Sequence, residues 1–320
     1  MKKLRKFVPK NIFLTAFFLL VCICFLFHAK KTSEFAYIGL NTWFEQMIIS
    51  LFPFMVFMNL LLRTGLSVTF IRPFYVLLRP LFRNTPDAVF VIFFGFLCGF
   101  PLGCKSVCSF YKQGRISKSN AEYLLCFANN IGPAYMTGFF LSVIHPPHSA
   151  LAAAFFLYGI PLLYGLFLRY TLYRKSLDDE YASCIRQNQT PATHSLLSAL
   201  PDAVNDALSQ IAILGGYMIV FNALRIVPHL LLSDNRICYI LSQSLLEISG
   251  GLLCVDSLLP EGILQTLAVY AVFAFNGLCC HFQSFSLMVP LQLSGKKYML
   301  HKTILCSITV IFVWLYEMLK

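Results

Sequence analysis

Long apolar runs, separated by short polar and often basic stretches, dominate the pattern of this 320-residue chain. A membrane-spanning helix needs about 20 predominantly apolar residues. Seven runs approach that length: 11–28, 47–62, 120–144, 149–169, 207–224, 263–290 and 302–318. The pattern therefore predicts an all-α polytopic membrane protein with about seven spanning helices.

Two further apolar runs are interrupted near their centres. Run 88–111 contains GFPLG at 99–103, and run 237–259 contains SGG at 249–251. Non-helical backbone at membrane depth is tolerated only where it is buried in protein or lines a watery cavity. We interpret both runs as re-entrant helical hairpins whose tips face such a cavity.

The distribution of Lys and Arg supports two hairpins over two single crossings. With hairpins, the basic segments share the cytoplasmic side with the N-terminus, as the positive-inside rule requires. These segments are 63–87, 105–119, 170–196 and 292–302, the last of which includes Lys302. The outside segments 29–46, 145–148 and 225–262 then hold few basic residues, among them Arg225. A single crossing by 88–104 would move the basic stretch after it outside and invert every later loop.

Composition agrees with this class of protein. Hydrophobic residues make up 58% of the chain and charged residues 12%, against about 25% charged in soluble domains. The formal net charge of +11 favours a cytoplasmic loop bias over nucleic-acid binding, since no basic cluster interleaves with aromatic residues. Most of the twelve cysteines lie in apolar runs without a CxxC pair, so we predict neither a metal site nor a cofactor.

The two halves of the chain resemble each other. SLFPFMVFMNLL (50–61) aligns with ILGGYMIVFNAL (213–224), and CFANNIG (126–132) aligns with VFAFNGL (272–278). The order in each half is a spanning helix, an interrupted hairpin and a broken helix, and an odd number of crossings separates the halves. Inverted repeats with interrupted segments in corresponding positions indicate a transporter-type site near the bilayer midplane.

This interpretation divides the chain into five parts. They are an N-terminal transmembrane helix (1–32), a first repeat with one extra spanning helix (33–170), a cytoplasmic linker (171–196), a second inverted repeat (197–295) and a C-terminal transmembrane helix (296–320).

Candidate solute-binding residues lie at the interruptions. They are Gly99, Pro101, Gly103, Lys105, Asn129, Asn130, Gly132, Pro133, Glu247, Ser249, Gly250, Asn276, Gly277, His281 and Gln283. Half-helix N-termini at the tips would present positive dipole ends to a solute. Buried asparagines need partners, which are either a solute or the freed backbone groups. Glu247 either binds a cation, carries a proton or pairs with a basic group, or it is solvated at the outer mouth. His281 either exchanges a proton or is hydrogen-bonded within the bundle.

The chain carries no P-loop, GxSxG or HExxH motif, so no catalytic residue is predicted and an enzyme is not expected. The expected partners are the lipid bilayer and a small polar solute or coupling ion, and a homo-oligomer stays open.

Five stretches together resemble the sporulation integral membrane protein YlbJ family: SLFPFMVFMNLLLRTGL, GFPLGCKSV, LLCFANNIGP, LLEISGGL and FNGLCCHFQSFS. The resemblance covers roughly residues 38–300. It implies a Gate-type, or nucleoside-recognition, fold with re-entrant hairpins, related to spore maturation proteins A and B and to the membrane part of ferrous iron transport protein B. It also implies a role in spore development.

The chain departs from the family pattern around its lysine, where it has Leu102 and Cys104, and before His281, where a glycine pair would be expected. The expected function is transport of a small polar solute or ion across the cell membrane. The alternative is a non-transporting membrane factor for spore envelope or cortex assembly.

Overall fold

A computed structural model describes residues 12–138, 149–186 and 195–320, and its regular elements are helices. Three predicted features lie wholly or partly outside the described residues: the first eleven residues of the N-terminal segment, the outside loop 145–148 with the end of run 120–144, and 187–194 of the linker. The helices are α1 (Ile12–Phe27), α2 (Ala29–Arg63), α3 (Ser67–Phe82), α4 (Pro86–Leu97), α5 (Leu102–Lys112), α6 (Lys118–Leu125), α7 (Pro133–Tyr135), α8 (Ala150–Tyr170), α9 (Arg174–Arg186), α10 (Leu196–Leu232), α11 (Arg236–Leu246), α12 (Ile248–Leu258), α13 (Ile263–Phe275), α14 (Gly277–Met288) and α15 (Gly295–Leu319).

Within the described ranges, five helical stretches are long and apolar enough to cross a membrane. They are α2, α8, α10, α15 and Ile263–Leu291, which holds α13 and α14. This confirms an all-α membrane protein. The predicted runs 47–62 and 207–224 are the apolar parts of longer helices, because α2 and α10 begin 18 and 11 residues earlier.

The first predicted hairpin consists of α4 and α5. The Thr85 hydroxyl caps α4 by accepting the Ala88 N–H at 3.2 Å, and α4 stops before the GFPLG stretch that starts at Gly99. The two open ends of the hairpin meet, because the Arg115 guanidinium binds the Asp87 carboxylate, with Nε 2.9 Å from Oδ2. The chain therefore enters and leaves this hairpin at the same end of the molecule.

Several ion pairs between helix termini lie at that end, which we call the polar end. Arg63 at the end of α2 binds Asp202 and Asp206 near the start of α10, at 3.1 and 2.6 Å. Lys297 at the start of α15 binds Glu122 of α6 at 2.6 Å. Helix α10 starts here and has 37 residues, so at 1.5 Å per residue its last turn lies at the opposite end, where α11 begins four residues later.

The second hairpin consists of α11 and α12, and its break differs from the predicted one. The break falls on Glu247, and the SGG stretch that begins at Ser249 lies in the first turns of α12. Glu247 has extended backbone (φ −150°, ψ 141°), and its Oε2 accepts the Gly250 N–H at 2.9 Å. The carboxylate thus caps α12, which is why the helix starts directly after it. The glycine at 250 serves packing instead, because a Cβ there would lie 1.7 Å from Nη1 of Arg225.

Candidate functional site

The tip of the first hairpin lies directly against the irregular segment 126–132 that separates α6 from α7, which we call break 1. The Phe100 N–H donates to the Asn130 carbonyl at 2.8 Å. Gly99 has φ +74°, and a Cβ on it would lie 2.2 Å from the Gly132 nitrogen. A Cβ on Gly103 would lie 2.3 Å from the Ala128 carbonyl oxygen. These predicted site glycines allow two backbones to touch.

The second broken helix is interrupted at Asn276, which we call break 2. Its φ of +75° ends α13, and α14 begins at Gly277 beside the Glu247 tip of the second hairpin. Each break contains the same type of local hydrogen bond. Asn130 Nδ2 donates to the Phe127 carbonyl at 2.6 Å, and Asn276 Nδ2 donates to the Phe273 carbonyl. Both amide oxygens are thereby left facing a third group.

That third group is Lys302. Its predicted position in the basic cytoplasmic segment 292–302 is wrong. Its side chain is 0% exposed, and Nζ donates to the Asn129 carbonyl at 2.5 Å, to Asn130 Oδ1 at 2.9 Å and to Asn276 Oδ1 at 3.4 Å. The placement failed because α15 begins at Gly295, seven residues before the predicted start. The signal was Ser294, whose hydroxyl accepts the Lys297 N–H at 3.3 Å and caps the helix.

A chain of hydrogen bonds connects break 1 to α14 and α15. Asn129 Oδ1 accepts the Cys104 N–H at 3.1 Å, and its Nδ2 donates to Ser284 Oγ at 3.0 Å. Tyr298 lies between these groups, with its hydroxyl 3.4 Å from Asn129 Nδ2 and 3.1 Å from His281 Nδ1. His281 is therefore hydrogen-bonded within the bundle through Nδ1, while its buried Nε2 has no hydrogen-bond partner among the described residues.

Arg225 is a second buried cation, and the sequence placed it wrongly in an outside loop. It is 2% exposed, and its guanidinium donates to Gln243 Oε1 at 2.5 Å, Asn222 Oδ1 at 3.1 Å and the Gly250 carbonyl at 3.0 Å. The misplacement follows from α10, which continues past Arg225 to Leu232.

The first half contains a similar contact between an asparagine and a cation. Lys105 Nζ lies 2.6 Å from Asn59 Oδ1, and Asn59 is the residue that aligns with Asn222 in the predicted repeat. In each half, the asparagine of the long helix therefore holds a cation that packs with the hairpin.

A cavity separates the two hairpin tips. It offers about 60 Å³ to the centres of water-sized molecules, it is partly open to the surroundings, and its walls are mostly apolar. The tip of the first hairpin (tip 1) contributes Phe100, and the tip of the second (tip 2) contributes Glu247 and Ser249. Break 1 contributes Gly132, and α14 contributes Gln283. Both tips, break 1 and α14 thus enclose one space.

Two polar side chains in this wall are almost fully buried. Glu247 is 4% exposed, and its Oε1 accepts the Ser249 hydroxyl at 3.2 Å. Gln283 is also 4% exposed, and its Oε1 has no hydrogen-bond partner among the described residues. The Tyr135 and Ser249 hydroxyls, 2.9 Å apart, join the two halves across the cavity.

Four of the predicted site residues line the cavity: Gly132, Glu247, Ser249 and Gln283. The others lie in the surrounding shell of tips and breaks: Gly99, Pro101, Gly103, Lys105, Asn129, Asn130, Pro133, Gly250, Asn276, Gly277 and His281.

These helices and their buried polar centre define a multi-pass α-helical membrane protein. The chain is similar to the sporulation integral membrane protein YlbJ of Bacillus subtilis (strain 168), with 27% identity over 243 residues, which cover 66% of this chain and 55% of the relative. The chain thus spans about half the length of the curated relative that it matches. The similarity confirms the resemblance to the YlbJ family, while the Gate relationship stays a prediction.

No protein-family model matches the chain. No solved structure matches it either.

Proposed function

We propose that this chain transports a small polar solute or ion across the cell membrane in a sporulating cell, and that it does so with a Gate-type fold of two inverted repeats. The observation that carries the proposal is the cavity between the two hairpin tips. A space enclosed by re-entrant tips and broken helices at mid-depth is the arrangement that secondary transporters use for substrate. The sporulation context comes from the similarity to YlbJ.

Paired geometry in the two halves supports the inverted repeat. Asn130 and Asn276, which align in sequence, make the same bond to the carbonyl three residues back and contact the same ammonium. The aligned pair Asn59 and Asn222 each hold a cation. The first hairpin opens at the polar end and the second begins after the far end of α10, so the two tips approach from opposite ends.

The polar end is cytoplasmic in this proposal. It contains Arg63, Arg115 and Lys297, and basic residues accumulate on the cytoplasmic side of membrane proteins. The N-terminus would lie on that same side, and both hairpins would be re-entrant.

A non-transporting membrane factor for spore envelope or cortex assembly is the second candidate. The observation that favours it is the internal binding of both cations, because Lys302 and Arg225 each donate to at least three oxygen acceptors within the bundle. Buried cations that are hydrogen-bonded to several helices favour one conformation, which suits a scaffold.

Uptake into proteoliposomes separates the two candidates. Vesicles containing the full chain are incubated with a mixture of labelled small polar metabolites and inorganic ions, and their contents are compared with those of empty vesicles. If the chain is a transporter, we expect at least one solute to accumulate in the vesicles. We expect Glu247→Gln, which removes the charge but keeps an acceptor for the helix cap, to reduce this accumulation about ten-fold or more. Asn130→Ala should reduce the accumulation as well. The matched control is Glu261→Gln, an exposed loop position.

Two results would reject transport through this cavity. One is no accumulation above empty vesicles while the chain still restores spore formation to a strain lacking it. The other is full activity of both Glu247→Gln and Asn130→Ala.

A further inference from the structure

The oxygens around Lys302 come from both breaks of the molecule. Break 1 supplies a main-chain carbonyl from Asn129 and an amide oxygen from Asn130, and break 2 supplies the amide oxygen of Asn276. The Phe100 ring of the first hairpin tip lies 5.3 Å from Nζ, within the range of a cation–π contact. Every polar neighbour of Nζ in this set is an acceptor.

The arrangement of the acceptors matches an ammonium. A lysine ammonium has three N–H donors and no acceptor, which matches three oxygens between 2.5 and 3.4 Å. Among the described residues, no Asp or Glu carboxylate lies within the 4.0 Å of an ion pair with Lys302. The charge is therefore balanced by oriented dipoles and not by a counter-ion.

Carbonyl and amide oxygens at helix breaks are the ligands that membrane transporters use for monovalent metal cations. The C-terminal end of a helix adds a partial negative charge, and α13 ends directly before Asn276. Such a site attracts a cation whether the cation is free or tethered.

We propose that the oxygens of Asn129, Asn130 and Asn276 form a monovalent-cation site that the chain fills with its own Lys302 ammonium. The tethered cation joins break 1 to break 2 permanently, so no free coupling ion binds where they meet. This inference goes beyond the proposed transport function and holds for a scaffold as well.

Chemical rescue of Lys302→Ala tests the site. The substitution removes three methylenes and the ammonium, which n-propylammonium replaces atom for atom. Thermal unfolding of the detergent-purified full chain is measured with n-propylammonium or with n-propanol, a neutral compound of similar size, at matched ionic strength. We expect n-propylammonium to raise the Tm of Lys302→Ala saturably, by roughly 5 °C, and n-propanol to raise it much less.

Three controls complete the test. Neither compound should stabilise the wild type or Lys297→Ala, because Lys302 still fills the site in both. Neither should stabilise Lys302→Met, because the methionine side chain still occupies the space of the lysine stem. Equal rescue by n-propanol, or no rescue by either compound, would overturn the proposal. If Lys302→Ala yields no folded protein, the Tm of Lys302→Met tests the proposal instead. A Tm of Lys302→Met below that of the wild type supports the cation site, and an equal or higher Tm refutes it.

Discussion

Gly99→Ala is expected to lower the free energy of unfolding by about 3 kcal/mol. Gly99 has φ +74°, and a left-handed conformation costs an L-residue about 1–2 kcal/mol. The added Cβ would also lie 2.2 Å from the Gly132 nitrogen, so tip and break must separate, and overpacking typically costs about 1–3 kcal/mol. Denaturant unfolding in detergent, followed by circular dichroism, measures the loss.

Gly114→Ala is the matched control for the hairpin tip. Gly114 has nearly the same φ, +70°, but no atom lies within 4 Å of where its Cβ would be. Only the conformational cost of about 1–2 kcal/mol is expected there. If both variants lose the same stability, the close contact between tip 1 and break 1 is refuted.

Arg225→Leu is expected to lower the free energy of unfolding by about 3 kcal/mol or more. It leaves the acceptors of Gln243, Asn222 and Gly250 without their donor, and each unsatisfied buried group costs about 1–3 kcal/mol. Loss of the buried charge offsets part of this sum. Arg225→Lys keeps the charge without the planar fork, so its stability should fall between the wild type and Arg225→Leu.

Arg236→Leu provides the comparison for Arg225 in the same unfolding assay. Arg236 is exposed at the start of α11, and a surface substitution of this kind changes stability by about 0.5 kcal/mol or less. Equal stability of Arg225→Leu and Arg236→Leu would show that the buried guanidinium does not hold the second hairpin to α10.

The interrupted segments were predictable because glycine, proline and asparagine mark them in the sequence. GFPLG from Gly99 located the first hairpin tip, and the alignment of Asn130 with Asn276 located the two breaks. The predicted position of the second tip is two residues too late, because serine and glycine at 249–251 are the residue types that usually mark an interruption. In the structure, Glu247 leaves the helical conformation and caps the next helix.

The burial of Lys302 and Arg225 was not predictable, because the charge pattern indicates only on which side of the membrane a loop lies. A Lys or Arg beside an apolar run usually faces solvent, and nothing in a single sequence shows which acceptors a helix will bring near it. Lys302 meets oxygens about 170 and 26 residues away along the chain. The starts of the long helices were not predictable for a related reason, because the less apolar stretch before each run is helical and packs on other helices, as Trp43 of α2 does by donating from Nε1 to the Ile211 carbonyl at 2.8 Å.

In the proposed topology, the first hairpin enters and leaves the membrane on the cytoplasmic side and approaches the second from the opposite face. Single cysteines at Lys112→Cys, Lys118→Cys and Glu261→Cys, all exposed positions, are introduced into a cysteine-depleted chain and treated with a membrane-impermeant maleimide in intact cells. We expect labelling at 261 in intact cells, and at 112 and 118 only after permeabilisation. Labelling of 112 or 118 in intact cells would contradict this topology.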